Sequence, residues 1–552
     1  GLHRNHMINW EGGVIPEEFI AEYTADRVET TASVWLGQTF NCTRCHDHKF
    51  DPYTQKDYFG LMSFFNQTSV DGSGGNPRTP PVLPVLNREL RTRVDDAQRG
   101  LSHFIRDTEA LEQKRFHPEA GQSLDQTPLA QDFSAAHREH LKVPATDRDA
   151  GRLQKMATLW RDFDPEYVAV LERQRASRIH WDTVQNQIPQ VMVMNDLPKV
   201  RPTHQLVRGS YENLGPEVVA SLPGHLTPGH RVTRPDRLEL AQWLVSPTNP
   251  LPARVTVNRL WQQFFGVGLV KTVEDFGTQG EWPSHPEVLD TLARDFVDRG
   301  WDVKDFFLKV VTSSTYRQTS DASPELYARD PENRLLARGP RVRLTSEQIR
   351  DQALAVSGLL AEKLGGPSVR PYQPEGLYKG IVVDAPYPST TWDLGKGDEL
   401  YRRSLYTFWK RTVPHPAMLT FDSPDREFCS ARRSRTNTPL QALVLWNETG
   451  YLESSRKLGE RMLKEGGPDD ASRAAFAFRL ATGRAPLPAE TEVLTHTYAQ
   501  LRADYAARPE DAAKLIKVGA SVADPKLPAG ELAAAAGVAN LILTLDETIT
   551  KN

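Results

Sequence analysis

The sequence has 552 residues, of which 39% are hydrophobic and 25% are charged, a composition typical of globular proteins with two to four domains. Its formal net charge of −4 gives no reason to expect nucleic acid as a partner, and no apolar run approaches the roughly 18 residues that span a membrane. Its three cysteines are too few for a disulfide framework.

The chain begins at Gly1, and its opening residues contain no signal peptide. We therefore expect a truncated or processed form whose own N-terminus does not report the compartment. Apolar spacing predicts one helix over 17–35 and another over 57–65, on either side of a short loop rich in Cys and His. A Gly-rich stretch over 71–77, followed by prolines, predicts a domain boundary.

The charged region that follows is predicted to contain two long helices, over 86–116 and over 156–181, joined by a loose polar connection at 117–150. The pattern then changes, and the segments 191–194 and 203–207 are predicted to be short strands. This region therefore indicates a paired-helix insertion with a small sheet element and no chemistry of its own.

Helix-start signals recur in the second half of the sequence. Ser284 is predicted to cap a helix, with Glu287 three residues later. Thr345 and Gln348 form a second capping box, which is predicted to open a helix that ends at the glycines 365–366. These signals indicate that the second half is mainly helical.

Residues 367–415 are rich in Pro, Gly and Tyr and are predicted to be strand and loop, whereas Thr438 and the proline after it open a further helix. The whole pattern predicts a mainly α protein with small β elements, that is, a multi-domain helical chain of the α+β class. We predict three domains: 1–75 with the Cys- and His-rich loop, 76–225 as a helical insertion or linker with short strands, and 226–550 as a mostly helical domain.

One motif carries a specific chemical signal, Cys42-Thr43-Arg44-Cys45-His46. Two thiols at this spacing can each bond to a vinyl group of one haem, and the His directly after the second Cys becomes the proximal ligand of the iron. The motif therefore predicts covalent haem c on Cys42 and Cys45, with His46 bound to the iron. Met62 and His6 are candidate distal ligands, although Met62 fits better as a member of the apolar stripe of its helix.

Two alternatives for this motif stay open. Cys and His are zinc ligands, so Cys42, Cys45, His46 and His48 form an alternative zinc site, although no second ligand pair is visible. The other alternative is a buried, reduced Cys pair with hydrogen-bonded histidines, in which His48 is a loop residue that pairs with a nearby aspartate, Asp47 or Asp51.

A second unusual segment precedes the helix at Thr438 and concentrates groups that bind anions. Its candidate anion-binding residues are Arg432, Arg433, Arg435 and Asn437. The favoured alternative is an internal salt-bridge network of these arginines with the neighbouring acids Asp422, Asp425 and Glu427. Cys429, in the same segment, is expected to be a lone buried thiol.

Carbohydrate chemistry is a weaker expectation. Tryptophans can stack on sugar rings, although most are packing residues; the candidates are Trp261, Trp282, Trp301, Trp392, Trp409 and Trp446. Acids that could form a glycosidase-like pair are Glu274, Asp275 and Glu281, but the sequence does not set their separation.

Several stretches closely resemble the planctomycete proteins that carry domain of unknown function 1549 and its partner, domain of unknown function 1553. The stretches that resemble the C-terminal part of the first domain are 30–37, 42–52 and 55–58. Those that resemble the second are 253–261, 275–280, 284–287, 401–409 and 435–442. The resemblance implies a cytochrome c-associated family, a secretion signal and often a separate cytochrome c domain upstream, and therefore an exported protein of the periplasm or cell envelope.

We expect a c-type haem protein with a role in electron transfer to a redox partner protein that the sequence does not identify. One alternative is an envelope protein of polysaccharide processing, either an enzyme or a glycan binder. Another is a structural protein with a Cys/His metal site. No catalytic residue is predicted, and the resemblance does not specify whether the protein is an enzyme.

Overall fold

The computed structural model describes residues 2–9, 13–70, 72–73, 80–228, 231–378 and 391–551. The predicted boundary at 71–77 lies almost entirely outside the described residues, as does part of the predicted strand and loop region at 367–415. Helices account for 54% of the chain and strands for 5%. The prediction of a mainly α protein with small β elements is therefore confirmed.

The chain forms two compact units. The larger consists of Leu2–Gly74 and Asp196–Asn552, and the smaller lies within Gly75–Asn195. Within the described ranges, no helix is both long enough and apolar enough to cross a membrane.

Two helices frame the Cys- and His-rich loop in the larger unit: α1 (Pro16–Thr31) and α2 (Gln55–Phe65). Helix α1 passes into one π-helical segment, Ala32–Leu36, which ends at Gly37 in a left-handed conformation (φ 59°). Thr54 caps α2 because its side chain accepts a hydrogen bond from the backbone N–H of Asp57.

The smaller unit is built from long helices around an aromatic core. Its elements are β1 (Val82–Pro84), α3 (Arg88–Phe116), α4 (Pro128–Gln131), α5 (Ala135–Leu141), α6 (Ala150–Trp160), α7 (Pro165–Asn186) and β2 (Gln190–Met192). Strands β1 and β2 pair antiparallel, with Leu83 opposite Val191. The core contains Phe116, Trp160 and Tyr167.

Two predictions for this unit were wrong. The single helix expected over 156–181 is divided between α6 and α7, because Pro165 begins a new helix and the Asp164 side chain caps it by accepting from the N–H of Tyr167 at 2.9 Å. The loose connection expected at 117–150 contains α4 and α5. These helices are short and the stretch is polar, so its sequence shows no clear helical spacing of apolar residues.

The larger unit resumes with an antiparallel pair, β3 (Thr203–Leu206) and β4 (Leu214–Val218), in which Thr203 lies opposite Val218. Five helices follow: α8 (Arg237–Leu244), α9 (Leu251–Phe265), α10 (Pro286–Asp298), α11 (Val303–Thr312) and α12 (Pro324–Arg329). Helices α9 to α11 share a core that includes Val257, Trp261 and Phe296.

The last part of the larger unit is an α-helical bundle. Its elements are β5 (Val342–Arg343), α13 (Ser346–Ser357), α14 (Pro416–Thr420), α15 (Pro439–Asn447), α16 (Thr449–Glu465), α17 (Asp470–Thr482), α18 (Pro488–Ala507), α19 (Pro509–Leu515), α20 (Ala529–Thr544), α21 (Asp546–Ile549) and β6 (Thr550–Lys551). The core of the bundle includes Leu458, Phe478 and Val538. Strand β6 pairs antiparallel with β5, so the end of the described chain returns to the start of the bundle.

Two of the predicted helix ends need correction. The residue that precedes α10 is His285, which makes no side-chain cap, and the Ser284 hydroxyl donates instead to the carbonyl of Leu269 at 3.4 Å. The capping box of Thr345 and Gln348 is confirmed. Its helix, however, ends at Gly358 (φ 78°) and not at 365–366, because the first glycine in a left-handed conformation already closes it.

Candidate functional site

The cysteine motif lies on one exposed turn between α1 and α2. Residues Asn41–Arg44 form a 3-10 turn. The carbonyl of Cys42 accepts from the N–H of Cys45 at 3.2 Å and from that of His46 at 3.3 Å. The side chains of Cys42, Cys45 and His46 are all exposed, and neither thiol forms a disulfide. The structure therefore presents both thiols and the imidazole to solvent, which excludes the alternative of a buried Cys pair.

The ring of His46 has a defined tautomer. Its Nδ1 lies 2.7 Å from the backbone carbonyl of Asp47, and a carbonyl oxygen can only accept, so Nδ1 carries the proton. In the neutral ring the lone pair is then on Nε2, the atom with which an imidazole binds a metal when Nδ1–H is held by a backbone carbonyl.

The turn between β3 and β4 lies against the second cysteine. The Cys45 thiol donates to the carbonyl of Arg208 at 3.4 Å. A Cβ on Gly209, whose φ is 74°, would lie 2.9 Å from the Cys45 Sγ. Both residues are more than 160 positions from the motif, and nothing in the sequence pattern signalled their approach to it.

Gln55 holds the motif turn against this hairpin. Its side-chain amide donates to the carbonyls of Arg44 and Leu206, both at 3.1 Å, and its backbone N–H donates to the Asp47 carboxylate at 2.7 Å. The motif turn is therefore fixed from both sides, while its thiols stay accessible.

His48 is buried and does not join the thiols. Its Nδ1 accepts from the backbone N–H of Asp51 at 2.9 Å and lies 3.4 Å from the Asp51 carboxylate, so Asp51 is the aspartate beside His48. Among the residues that the structure describes, no group of three or more His, Cys, Asp or Glu side chains could hold a metal ion. The zinc alternative thus has no support in the described structure.

The two candidate distal ligands are both buried. Met62 is 6% exposed, on the buried face of α2. His6 is 8% exposed, and both its ring nitrogens are engaged, Nδ1 with the carbonyl of Met7 at 2.7 Å and Nε2 with the Arg27 guanidinium at 3.2 Å. Burial also lowers the pKa of His6 to about 4. The assignment of either residue as a distal ligand stays a prediction.

The segment that contains Arg432, Arg433 and Arg435, which we call the arginine segment, forms ion pairs with acids other than the expected ones. Arg433 forms an ion pair with Glu347 at 2.7 Å, and Arg432 with Glu274 at 3.4 Å. Arg435 donates to the carbonyl of Gly266 at 3.1 Å. The expected network within the segment is therefore wrong, because its arginines reach elements that only the fold brings near.

The remaining residues of that segment also differ from expectation. Asp422 accepts from the backbone N–H of Thr436 at 2.8 Å and pairs with Arg343. Cys429 is exposed and not buried. Asn437 is exposed and lines a surface cavity.

The residues suggested for carbohydrate chemistry do not form a common site. Trp261 is buried in the core of α9 to α11, whereas Trp282 is 88% exposed. Of the three candidate acids, Glu274 faces Arg432, Asp275 accepts from the N–H of Gly277 at 2.8 Å, and Glu281 lies 3.9 Å from the Lys271 ammonium. Each of the three carboxylates thus has a structural partner.

Two family models match the chain. Residues 236–498 match the model described as "Protein of unknown function (DUF1553)", named PSD1. Residues 1–70, which include the cysteine motif, match the model described as "Protein of unknown function (DUF1549)", named PSCyt2. No curated protein and no solved structure matches the chain.

Proposed function

Because the chain combines a DUF1549 segment with a DUF1553 domain, we propose that it carries one covalent haem c on Cys42 and Cys45, with His46 as the proximal ligand. We propose further that it is exported to the periplasm or cell envelope, where it exchanges electrons with a redox partner protein.

One observation carries this proposal: a single exposed turn presents two thiols that form no disulfide and an imidazole whose Nδ1 is held by a backbone carbonyl, which leaves Nε2 to bind a metal. Thiols and a neutral imidazole are the donor set that c-type haem requires. When bound, haem supplies one-electron exchange at its iron.

The surrounding residues would orient this donor set. The carbonyl of Asp47 holds the proton of His46 on Nδ1 and so keeps Nε2 as the ligand atom. The hydrogen bonds of Gln55 fix the turn to α2 and to β3. The exposure of Cys42 and Cys45 leaves both thiols open to attachment.

The experiment is expression with a c-type haem maturation system, followed by a visible spectrum and a haem stain on a denaturing gel. We expect a Soret band and a stain that survive denaturation. Both should disappear in the double variant Cys42→Ala/Cys45→Ala and persist in Cys429→Ala, which removes the third exposed thiol as a matched control. A colourless wild-type protein from that host would refute the proposal.

The proposed location has its own test. Expression of the full-length gene product in its native cell, followed by fractionation, should place the protein outside the cytoplasm. Recovery from the cytoplasmic fraction would contradict an exported role.

A further inference from the structure

Two adjoining cavities lie in the DUF1553 domain, beside α9, the start of α13 and the arginine segment. Their volumes are about 490 and 960 Å³. Four residues line both cavities: Gln262, Arg343, Arg433 and Arg435. The two therefore form one continuous depression, which we call the arginine groove.

The arginine groove has an excess of positive charge. Its cationic residues are Lys271, Arg338, Arg341, Arg343, Arg426, Arg432, Arg433 and Arg435. Its acidic residues are Glu332, Glu347, Asp351, Asp422 and Asp546. Eight cationic and five acidic side chains line the groove. The lining therefore carries at least three more positive charges than negative ones.

Three of these cations, Arg338, Arg426 and Arg435, form no ion pair with a described carboxylate, and Arg338 donates instead to the backbone carbonyls of Asp330 and Pro331. In the described part of the chain, no carboxylate forms an ion pair with Arg435, whose guanidinium donates only to the carbonyl of Gly266. The guanidinium of Arg426 lies over the ring of Trp409, 4.3 Å from its centroid, and donates no hydrogen bond to any described residue. Arg426 and Arg435 both line the smaller cavity, so their N–H groups are available to a ligand.

Another arginine of the groove, Arg343, is largely buried. The side chain of Arg343 is 10% exposed and pairs with Asp422. Its Nε is buried and has no hydrogen-bond partner among the described residues. An unpaired buried donor is unfavourable, because it has lost water without gaining an acceptor.

Neighbouring arginines of the groove also repel one another, which lowers the pKa of their guanidinium groups. Burial, and then the nearby Arg343, lower the pKa of Arg435. Burial lowers the pKa of Arg426, and Arg433 lowers it further, although Glu347 opposes the shift. Guanidinium groups stay protonated, so a bound anion would relieve this repulsion.

We propose that the arginine groove binds a small organic oxyanion, a molecule whose carboxylate, sulfate or phosphate group is held by Arg343, Arg426 and Arg435. A fixed guanidinium fork matches all three oxyanions. A cavity of about 490 Å³ exceeds the needs of a bare ion, and Leu344 and Leu405 supply apolar lining for the remainder of the molecule. The site is independent of the proposed haem.

The test is calorimetric titration of the full chain at low ionic strength with inorganic sulfate, inorganic phosphate and glucuronate, with glucose as the neutral control. We expect saturable binding of at least one anion and none of glucose. Tighter binding of sulfate or phosphate identifies a tetrahedral group as the natural one, and tighter binding of glucuronate identifies a carboxylate.

Variants connect the binding to the groove. Arg426→Gln and Arg435→Gln should each weaken it roughly tenfold or more, as expected for a lost charge-assisted contact. Arg479→Gln should leave it unchanged, since Arg479 is exposed and lines neither cavity. If Arg435→Gln does not fold, Arg426→Gln decides alone, because the Arg426 side chain donates no hydrogen bond that the fold would lose.

Absence of saturable binding for all three anions would overturn the proposal. So would binding that both groove variants leave within about twofold of the wild-type affinity. Haem attachment is scored separately, by the stain on a denaturing gel, so failure of either proposal leaves the other measurable.

Discussion

The carboxylate of Asp51 accepts hydrogen bonds from the backbone N–H of Thr278 at 2.7 Å and from its hydroxyl at 2.6 Å. Asp51 belongs to the region that matches DUF1549, and Thr278 belongs to the region that matches DUF1553. A Cβ on Gly277 would lie 2.6 Å from the Asp51 Oδ2, so the contact requires glycine there. The buried Asp51 carboxylate is thus one of several contacts that hold the segment with the cysteine motif to the second matched region, together with the hydrogen bonds from the N–H of Phe276 to the carbonyl of Gly37 at 2.7 Å and from Arg259 to the carbonyl of Ser33 at 2.6 Å.

We predict that Asp51→Ala lowers the free energy of unfolding by about 1–3 kcal/mol, because two charge-assisted hydrogen bonds to a buried carboxylate are lost, while water can still reach the exposed Thr278. Asp51→Asn should lose less, since its amide oxygen can still accept. Urea denaturation followed by tryptophan fluorescence measures both. Equal stability of Asp51→Ala and wild type would show that the contact contributes nothing.

A second prediction concerns the haem-loaded protein. Met62→Leu and His6→Gln should each leave the Soret band of the loaded protein at its wild-type position, because both side chains are buried and His6 has no free ring nitrogen. His46→Ala should shift the band, since it removes the only motif imidazole. Visible spectra of wild type and of the three variants measure the position of the Soret band in each. A shift in Met62→Leu would instead support Met62 as the distal ligand.

The third prediction is a dependence of stability on pH. Burial, and then the nearby Arg350, lower the pKa of His415 to about 4, compared with about 6.5 in an unfolded chain. Between pH 6.5 and 4 the unfolded state therefore binds a proton that the folded state does not. The stabilising effect of a neutral His415 is complete above pH 6.5 and is lost as the pH falls towards 4, at up to about 1.4 kcal/mol per pH unit.

The variant His415→Gln tests this prediction, because a glutamine amide can still donate to the carbonyl of Tyr372, which now lies 2.9 Å from Nε2. Its unfolding free energy should vary less between pH 5 and 6.5 than that of wild type. His496→Gln, which replaces an exposed histidine in α18, should keep the wild-type slope. Identical slopes in wild type and His415→Gln would contradict the assignment.

The fourth prediction concerns the smaller unit, where Arg148 and Glu112 form an ion pair with side chains 0% and 3% exposed. Arg148→Ala should destabilise this unit by about 3–5 kcal/mol, because it leaves the Glu112 carboxylate buried without a cation. Replacing both residues by Met and Leu should be less harmful, since no unpaired charge remains. Hydrogen exchange of α3 and α7 measures both variants, and unchanged protection in Arg148→Ala would refute the prediction.

The sequence predicts local structure correctly where neighbouring residues determine it. The sequence predicts the capping box of Thr345 and Gln348 correctly, because each side chain bonds to a backbone group three residues away. The short strands β2 and β3 were also predicted. The single helix expected over 156–181 is wrong at Pro165, because a proline at the first position of a helix ends the continuity of the preceding one.

The partners of the arginine segment could not be found in the same way. Arg433 pairs with Glu347, 86 residues earlier in the chain, whereas sequence proximity favoured the acids beside it. Arg426 lies between Asp425 and Glu427 in the sequence, which favours a local ion pair and gives no signal that its side chain faces the cavity. Ion pairs depend on distance in space, and no local pattern records which elements pack together.

The sequence by itself determined the chemical content of the motif: two thiols three positions apart and an adjacent imidazole, because covalent order alone sets that spacing. It also determined the helical character, since apolar periodicity and capping are local. Only the tertiary structure decided that both thiols are exposed, that Gly209 lies against Cys45, and that Arg426 and Arg435 face a common cavity. These relationships join residues distant in the chain, and they arise when whole helices bury their apolar faces together.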